Sequence, residues 1–128
     1  MRGNTVKEES KKFLHSLLET PSPSGFERKI GRIWRSHLEE IADETHVDVM
    51  GNNIVEIHGT GGPRILLTAH LDEIGLMVTR VGDDGFIRFR PIGGPHVEVL
   101  PGQPVEILTD GGEGDCSVPG ILMWNGYA

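Results

Sequence analysis

Over the first forty residues the apolar positions recur at helical intervals. Phe13, Leu14, Leu17 and Leu18 share one stripe, with Lys and Glu between them, which predicts an amphipathic helix over residues 6–20. The segment Pro21-Ser22-Pro23-Ser24-Gly25 cannot continue that helix, because proline lacks the amide donor and restricts its neighbour. A second helix is expected from Phe26 to Ala42, with Ser24 as N-cap and Ile30, Ile33, Trp34, Leu38 and Ile41 as its core-facing stripe. The period then falls to two. His46 to Met50 and Asn53 to His58 alternate about Gly51-Asn52, the pattern of a hairpin with one buried face. Beyond the turn Gly59 to Pro63, the run Arg64 to Asp72 contains Ile65-Leu66-Leu67, a continuous apolar stretch that fits a central strand buried on both faces.

The texture changes after Glu73. Ile74 to Val81 and Phe86 to Arg90 flank Gly82-Asp83-Asp84-Gly85, a hairpin signal; Pro91 to Gly102 is irregular. Pro104 to Leu108 is a short strand followed by the turn Thr109 to Gly112. The fold class is therefore α/β: a layered domain over residues 1–73, then the start of a small β-barrel or sandwich over 74–128, with the change of domain close to Glu73.

Composition narrows the function more than the fold. The chain has 128 residues, 37% hydrophobic and 24% charged, and no apolar run long enough to span a bilayer. Its first residues lack the apolar core of a secretion signal, so the cytoplasm is the expected compartment. The net charge of −7 argues against nucleic-acid binding, which needs a basic face. Cys116 is the one cysteine, which removes intrachain disulfides and CxxC zinc sites and leaves it an ordinary small side chain.

The candidate chemistry is His70-Leu71-Asp72, at the far end of the expected buried strand. Alternation puts His70 and Asp72 on one face. Functional groups of open α/β sheets gather at the carboxyl ends of strands. Either both residues bind a metal, or His70 binds it while the carboxylate orients the imidazole. The tripeptide alone is a weak signal and favours the plainer alternative, a strand-end histidine hydrogen-bonded to its neighbour.

The surroundings decide between these. Leu66 to Val78, with His70-Leu71-Asp72-Glu73-Ile74-Gly75 at its centre, resembles the signature of the tetrahedral and glutamyl aminopeptidase family of co-catalytic metallopeptidases, some of which are known as endoglucanases or deblocking aminopeptidases. Further matches follow in order: Pro21 to Phe26, Asp48-Val49-Met50-Gly51-Asn52, Asp84 to Phe89, Pro91-Ile92-Gly93-Gly94 and Leu100 to Val105. The resemblance runs from about residue 7 to about residue 108.

The resemblance implies the N-terminal part of a layered zinc-peptidase-like catalytic domain, followed by the start of an inserted β-barrel used in oligomerisation. It implies an aminopeptidase acting on peptides, with two divalent metals per site, zinc or cobalt, that activate a bridging water. His70 takes the place of a metal ligand and Asp72 that of the neighbouring catalytic carboxylate. The bridging Asp, the general-base Glu and the other ligands lie beyond the barrel in that family, and nothing in this sequence matches them. One His and one Asp cannot hold two metals, so this chain alone is expected to have little or no activity. The tail from Gly112 to Ala128 matches poorly and has two readings: Val118 to Leu122 as an echo of a later barrel strand, or the whole tail as the product of a frameshift or an early stop. The resemblance implies that full-length relatives form homo-oligomers through the inserted domain, of which this chain carries part, so its own assembly is doubtful. Two other readings use the same residues: a non-catalytic remnant or interaction module, and the related metal-dependent deacylase and carboxypeptidase group, against which the Asp72-Glu73-Ile74-Gly75 continuation speaks. His15, His37, His46, His58 and His96 read as packing or surface residues, and Glu73 as a strand-end polar group that at most supports its neighbours.

Overall fold

A computed structural model of the chain describes residues 6–109 and 116–124. Residues 1–5, the expected turn from Asp110 on, and the parts of the tail at 112–115 and 125–128 lie outside the described residues. The chain divides into two compact units, residues 1–93 and 94–128.

In the first unit, α1 spans Glu8–Leu18, with Glu8 and Glu9 in its first turn, where the helix dipole favours acids. Phe13 and Leu17 are half-buried, whereas Leu14 and Leu18 are exposed, so half of the expected stripe is used. Phe13 stacks on His37 with ring centroids 3.6 Å apart and planes 11° from parallel. That contact makes His37 a packing residue. Helix α2 spans Arg28–Leu38. Its Ile30 and Gly31 are buried, and Ile33, Trp34 and Leu38 are half-buried. The helix is shorter than expected at both ends. Glu27 occupies the cap position without a capping side chain, because the Ser24 hydroxyl is engaged elsewhere. At the other end the Ile41 amide bonds the Leu38 carbonyl in a tight turn, which leaves Ile41 exposed.

Strand β1 (Glu44–Val47) pairs antiparallel with β2 (Asn53–Glu56), in the register Glu44↔Glu56 and Val47↔Asn53. The connection is five residues long, not two, because Asp48 organises it. Asp48 Oδ1 accepts the amides of Met50 and Asn52 at 2.8 and 2.9 Å, and Oδ2 accepts Asn52 Nδ2 at 2.7 Å. These bonds hold Val49 and Met50 in the turn, both exposed. The expected buried face reaches only β2, which packs against α2 and whose Asn53 side chain bonds Arg35; β1 is exposed along its length.

The largest departure is at residues 63–72. This segment joins no sheet, and Ile65, Leu66 and Leu67 are 80, 85 and 90% exposed. A strand buried on both faces needs a neighbour on each edge and a layer on each side. Among the described residues no strand lies beside this segment, and the sheets are three separate antiparallel pairs.

Strand β3 (Gly75–Val81) pairs with β4 (Ile87–Ile92), from Gly75↔Ile92 to Val81↔Ile87, with an irregularity between Val78 and Arg80. The hairpin falls where the sequence places it. Gly85 turns the chain at φ +78°, and Asp84 accepts the Phe86 amide and Arg88 Nη2. Pro91 lies inside β4, which an edge strand tolerates. In the second unit, after a 3₁₀ turn at Val97–Val99, β5 (Pro104–Leu108) pairs antiparallel with β6 (Ser117–Ile121), and Leu122 is buried beside it.

Candidate functional site

The loop Pro21 to Gly25 is stitched to the segment Leu71 to Glu73, about fifty residues away in sequence. Ser22 is buried and makes three of the bonds. Its amide donates to Glu73 Oε1 at 2.9 Å, its hydroxyl to the Leu71 carbonyl at 3.0 Å, and its carbonyl accepts the Glu73 amide at 3.0 Å. Pro23 forms an isolated parallel bridge with Glu73. A Cβ at Gly75 would stand 2.8 Å from Pro23 Cβ, so this approach of loop to strand requires glycine there.

The loop thereby reaches the two residues singled out by the sequence. Ser24 Oγ donates to Asp72 Oδ2 at 2.6 Å, and the other carboxylate oxygen, Oδ1, lies 3.0 Å from His70 Nδ1. The same ring nitrogen lies 2.9 Å from the Asp72 carbonyl oxygen. Nδ1 thus faces two acceptors, which assigns its proton to Nδ1 and leaves Nε2 with a bare lone pair. The His70 side chain is 86% exposed while Asp72 is more than half covered. The Ser24 hydrogen bond is the main influence holding the Asp72 carboxyl below the usual carboxylate range; partial burial opposes it, and the His70 contact adds to it.

An outward imidazole nitrogen backed by a carboxylate is the form in which histidine binds a divalent metal. His70 fits that role as one ligand. A zinc site takes about four. Among the described residues no group of three or more His, Cys, Asp or Glu is placed to hold an ion. The other histidines do not add to the site. His15 lies 4.0 Å from Glu19, His37 is stacked on Phe13, and His58 sits between Glu44 and Glu56 at 3.7 and 3.9 Å. The Glu73 carboxylate is taken up by the Ser22 amide, which makes it a loop anchor.

Ser22 and Ser24 are the residues that sequence reasoning did not assign to the site. The signal was present in Pro21-Ser22-Pro23-Ser24-Gly25, but a serine before a helix reads first as an N-cap. Among the described residues no helix is long and apolar enough to cross a membrane.

The profile of the M42 glutamyl aminopeptidases matches residues 51–123. The lysyl aminopeptidase of Pyrococcus furiosus is 36% identical over 102 residues, which cover 79% of this chain and 29% of that protein. The TET aminopeptidase of a marine sediment Thaumarchaeota archaeon superposes with a TM-score of 0.82 at 35% identity, over 91% of this chain and 32% of that one. The TET1 peptidase of Pyrococcus horikoshii, which assembles into a tetrahedron or a large octahedral shell, gives 0.76 at 33% identity over 92% and 34%. The chain thus spans about a third of the length of these relatives, and its mixed helix and sheet arrangement resembles their fold.

Proposed function

The chain belongs to the M42 glutamyl aminopeptidase family, and we propose that it carries the N-terminal part of a cytoplasmic metal-dependent aminopeptidase, with one ligand of the metal centre and its orienting carboxylate. The observation that carries this reading is the His70–Asp72 pair, with Nδ1 held between two acceptors and Nε2 directed outward. His70 is the proposed metal ligand and Asp72 the proposed catalytic carboxylate, acting by fixing the imidazole. Two divalent metals, zinc or cobalt, supply an activated water when bound in a complete site. Among the described residues the site consists of the His70 imidazole and the carboxylate that fixes it, so peptide hydrolysis needs donors that the described residues do not supply.

The proposed division is a catalytic-domain portion over residues 1–73 and part of an inserted β-barrel over 74–128. Its support is that, among the described residues, every element after Glu73 is a short antiparallel strand or a 3₁₀ turn, while both helices precede it. Assembly of the kind described for the Pyrococcus horikoshii peptidase would use that inserted domain.

Purified chain, incubated with aminoacyl-nitroanilide substrates and added cobalt, is expected to give no turnover above the metal-only background. Turnover abolished by His70→Ala would overturn the view that the site is incomplete. Reading the coding DNA beyond Ala128 in all three frames tests the family function itself. The missing Asp, Glu and His ligand motifs are expected there, and their absence would favour a non-catalytic remnant.

A further inference from the structure

The loop ahead of α2 has no role in the reading above, yet it makes the shortest of the hydrogen bonds around the Asp72 carboxylate. We infer that Ser24 is a positioning residue for the metal-binding imidazole: its hydroxyl fixes the Asp72 carboxylate, which holds His70 by Nδ1 and keeps Nε2 free for a metal. This rests on the metal-ligand reading of His70.

The geometry forms one chain, Ser24 Oγ to Asp72 Oδ2 at 2.6 Å, then Asp72 Oδ1 to His70 Nδ1 at 3.0 Å. An aspartate carboxylate can rotate about its last torsion, and that torsion has broad wells. A donor on one oxygen removes the freedom and aims the other oxygen at the ring. The bond is charge-assisted and short, the stronger class of hydrogen bond. Ser24 is itself fixed. Its neighbour Ser22 is buried and tied to Leu71 and Glu73, and Pro23 is rigid and bridged to Glu73. The loop therefore supports the imidazole from outside the segment that carries it, through a residue 46 positions from His70 in sequence. Serine suits this task because its hydroxyl donates to the carboxylate without bringing a competing charge.

The test reads the ring directly and needs neither metal nor turnover. In dilute solution of the chain of residues 1–128 labelled with ¹⁵N-histidine, long-range proton–nitrogen correlation at a pH where imidazoles are neutral reports which nitrogen of His70 carries the proton. The expected result is the Nδ1–H form as the major species. His70 found mainly as the Nε2–H form overturns the inference before any variant is made. Ser24→Ala is expected to lower the ratio of Nδ1–H to Nε2–H by about three- to tenfold, the range for a lost charge-assisted bond at a partly exposed site. Ser24→Thr, which keeps the hydroxyl, should restore it. Ser22→Ala removes one tether, the hydroxyl bond to the Leu71 carbonyl, but keeps the two backbone bonds to Glu73 that fix the loop, and should leave the ratio within twofold of the parent. An unchanged ratio in Ser24→Ala, or an equal fall in Ser22→Ala, overturns the inference. Absent downstream ligand motifs would end the peptidase reading and leave the tautomer result standing, so the two failures are distinguishable.

Discussion

At the scale of single residues, adjacent or near-adjacent carboxylates do different work because each meets different donors. Asp72 is shared between a hydroxyl and an imidazole, whereas Glu73 accepts a backbone amide. Asp48 accepts two backbone amides and a side-chain amide and so organises a turn. Those bonds, led by the Asn52 side chain, hold the Asp48 carboxyl below the usual range. A carboxyl whose folded pKa is depressed stabilises the fold above the unfolded value, and that contribution disappears as pH falls through the folded value. Acidification is therefore expected to loosen the β1–β2 connection below the ordinary carboxylate range. Following the Asp48 carboxyl carbon and the Met50 and Asn52 amides by NMR checks this. Asp48→Asn, which keeps an acceptor and loses the charge, should remove the acid-dependent step while retaining most of the turn. His70 and Asp72 were legible in sequence because of their neighbours from Leu66 to Val78, although the strand expected to align them is not formed. Ser24 was misread because capping is a local rule, and its true partner lies 48 residues away.

At the scale of elements, local periodicity worked where each element makes its own hydrogen bonds. Both helices and the β3–β4 hairpin lie where spacing and glycine placement put them, with errors of a few residues at the helix ends, where the Ser24 hydroxyl is engaged elsewhere and the Ile41 amide closes a turn. The contact between the Pro21–Gly25 loop and the start of β3 was not legible, because no local rule links a proline to a glycine fifty residues on. Gly75 gives that contact its tolerance for a close approach, not for unusual backbone angles, since it is absent from the glycines with positive φ. Gly75→Ala is expected to push Pro23 away, lower stability by about 1–3 kcal/mol as overpacking does, and weaken the Ser24–Asp72 bond. Thermal unfolding gives the first quantity. The His70 tautomer ratio gives the second, and should fall in the same direction as for Ser24→Ala. A melting temperature and a ratio both equal to the parent's would mean that the loop does not rest on β3 as described.

At the scale of the whole molecule, Ile65-Leu66-Leu67 was read as a buried strand, and the reading failed for a reason that itself informs. Periodicity and composition report the environment a segment is suited to. They do not report whether the neighbours that create it are at hand. Among the described residues the buried apolar side chains are Ile30 and Leu122, one in each compact unit, while Ile57, Ile65, Leu66, Leu67, Val81 and Val99 are among those well exposed. A segment with an apolar face on both sides and unpaired edge amides is a template for association. The isolated chain should therefore bind a hydrophobic dye such as ANS and self-associate as concentration rises, with amides of residues 65–67 exchanging with solvent without protection in its dilute form. Leu66→Lys places a charge in the middle of the run, and is expected to reduce both dye binding and the concentration dependence on size-exclusion chromatography while leaving the His70 tautomer unchanged. If the parent chain elutes as a monodisperse monomer at every concentration and binds no dye, the run is covered in solution by a partner surface within the chain. The candidate ligand would then stand on a strand already paired, and the site would be closer to complete than the described residues make it.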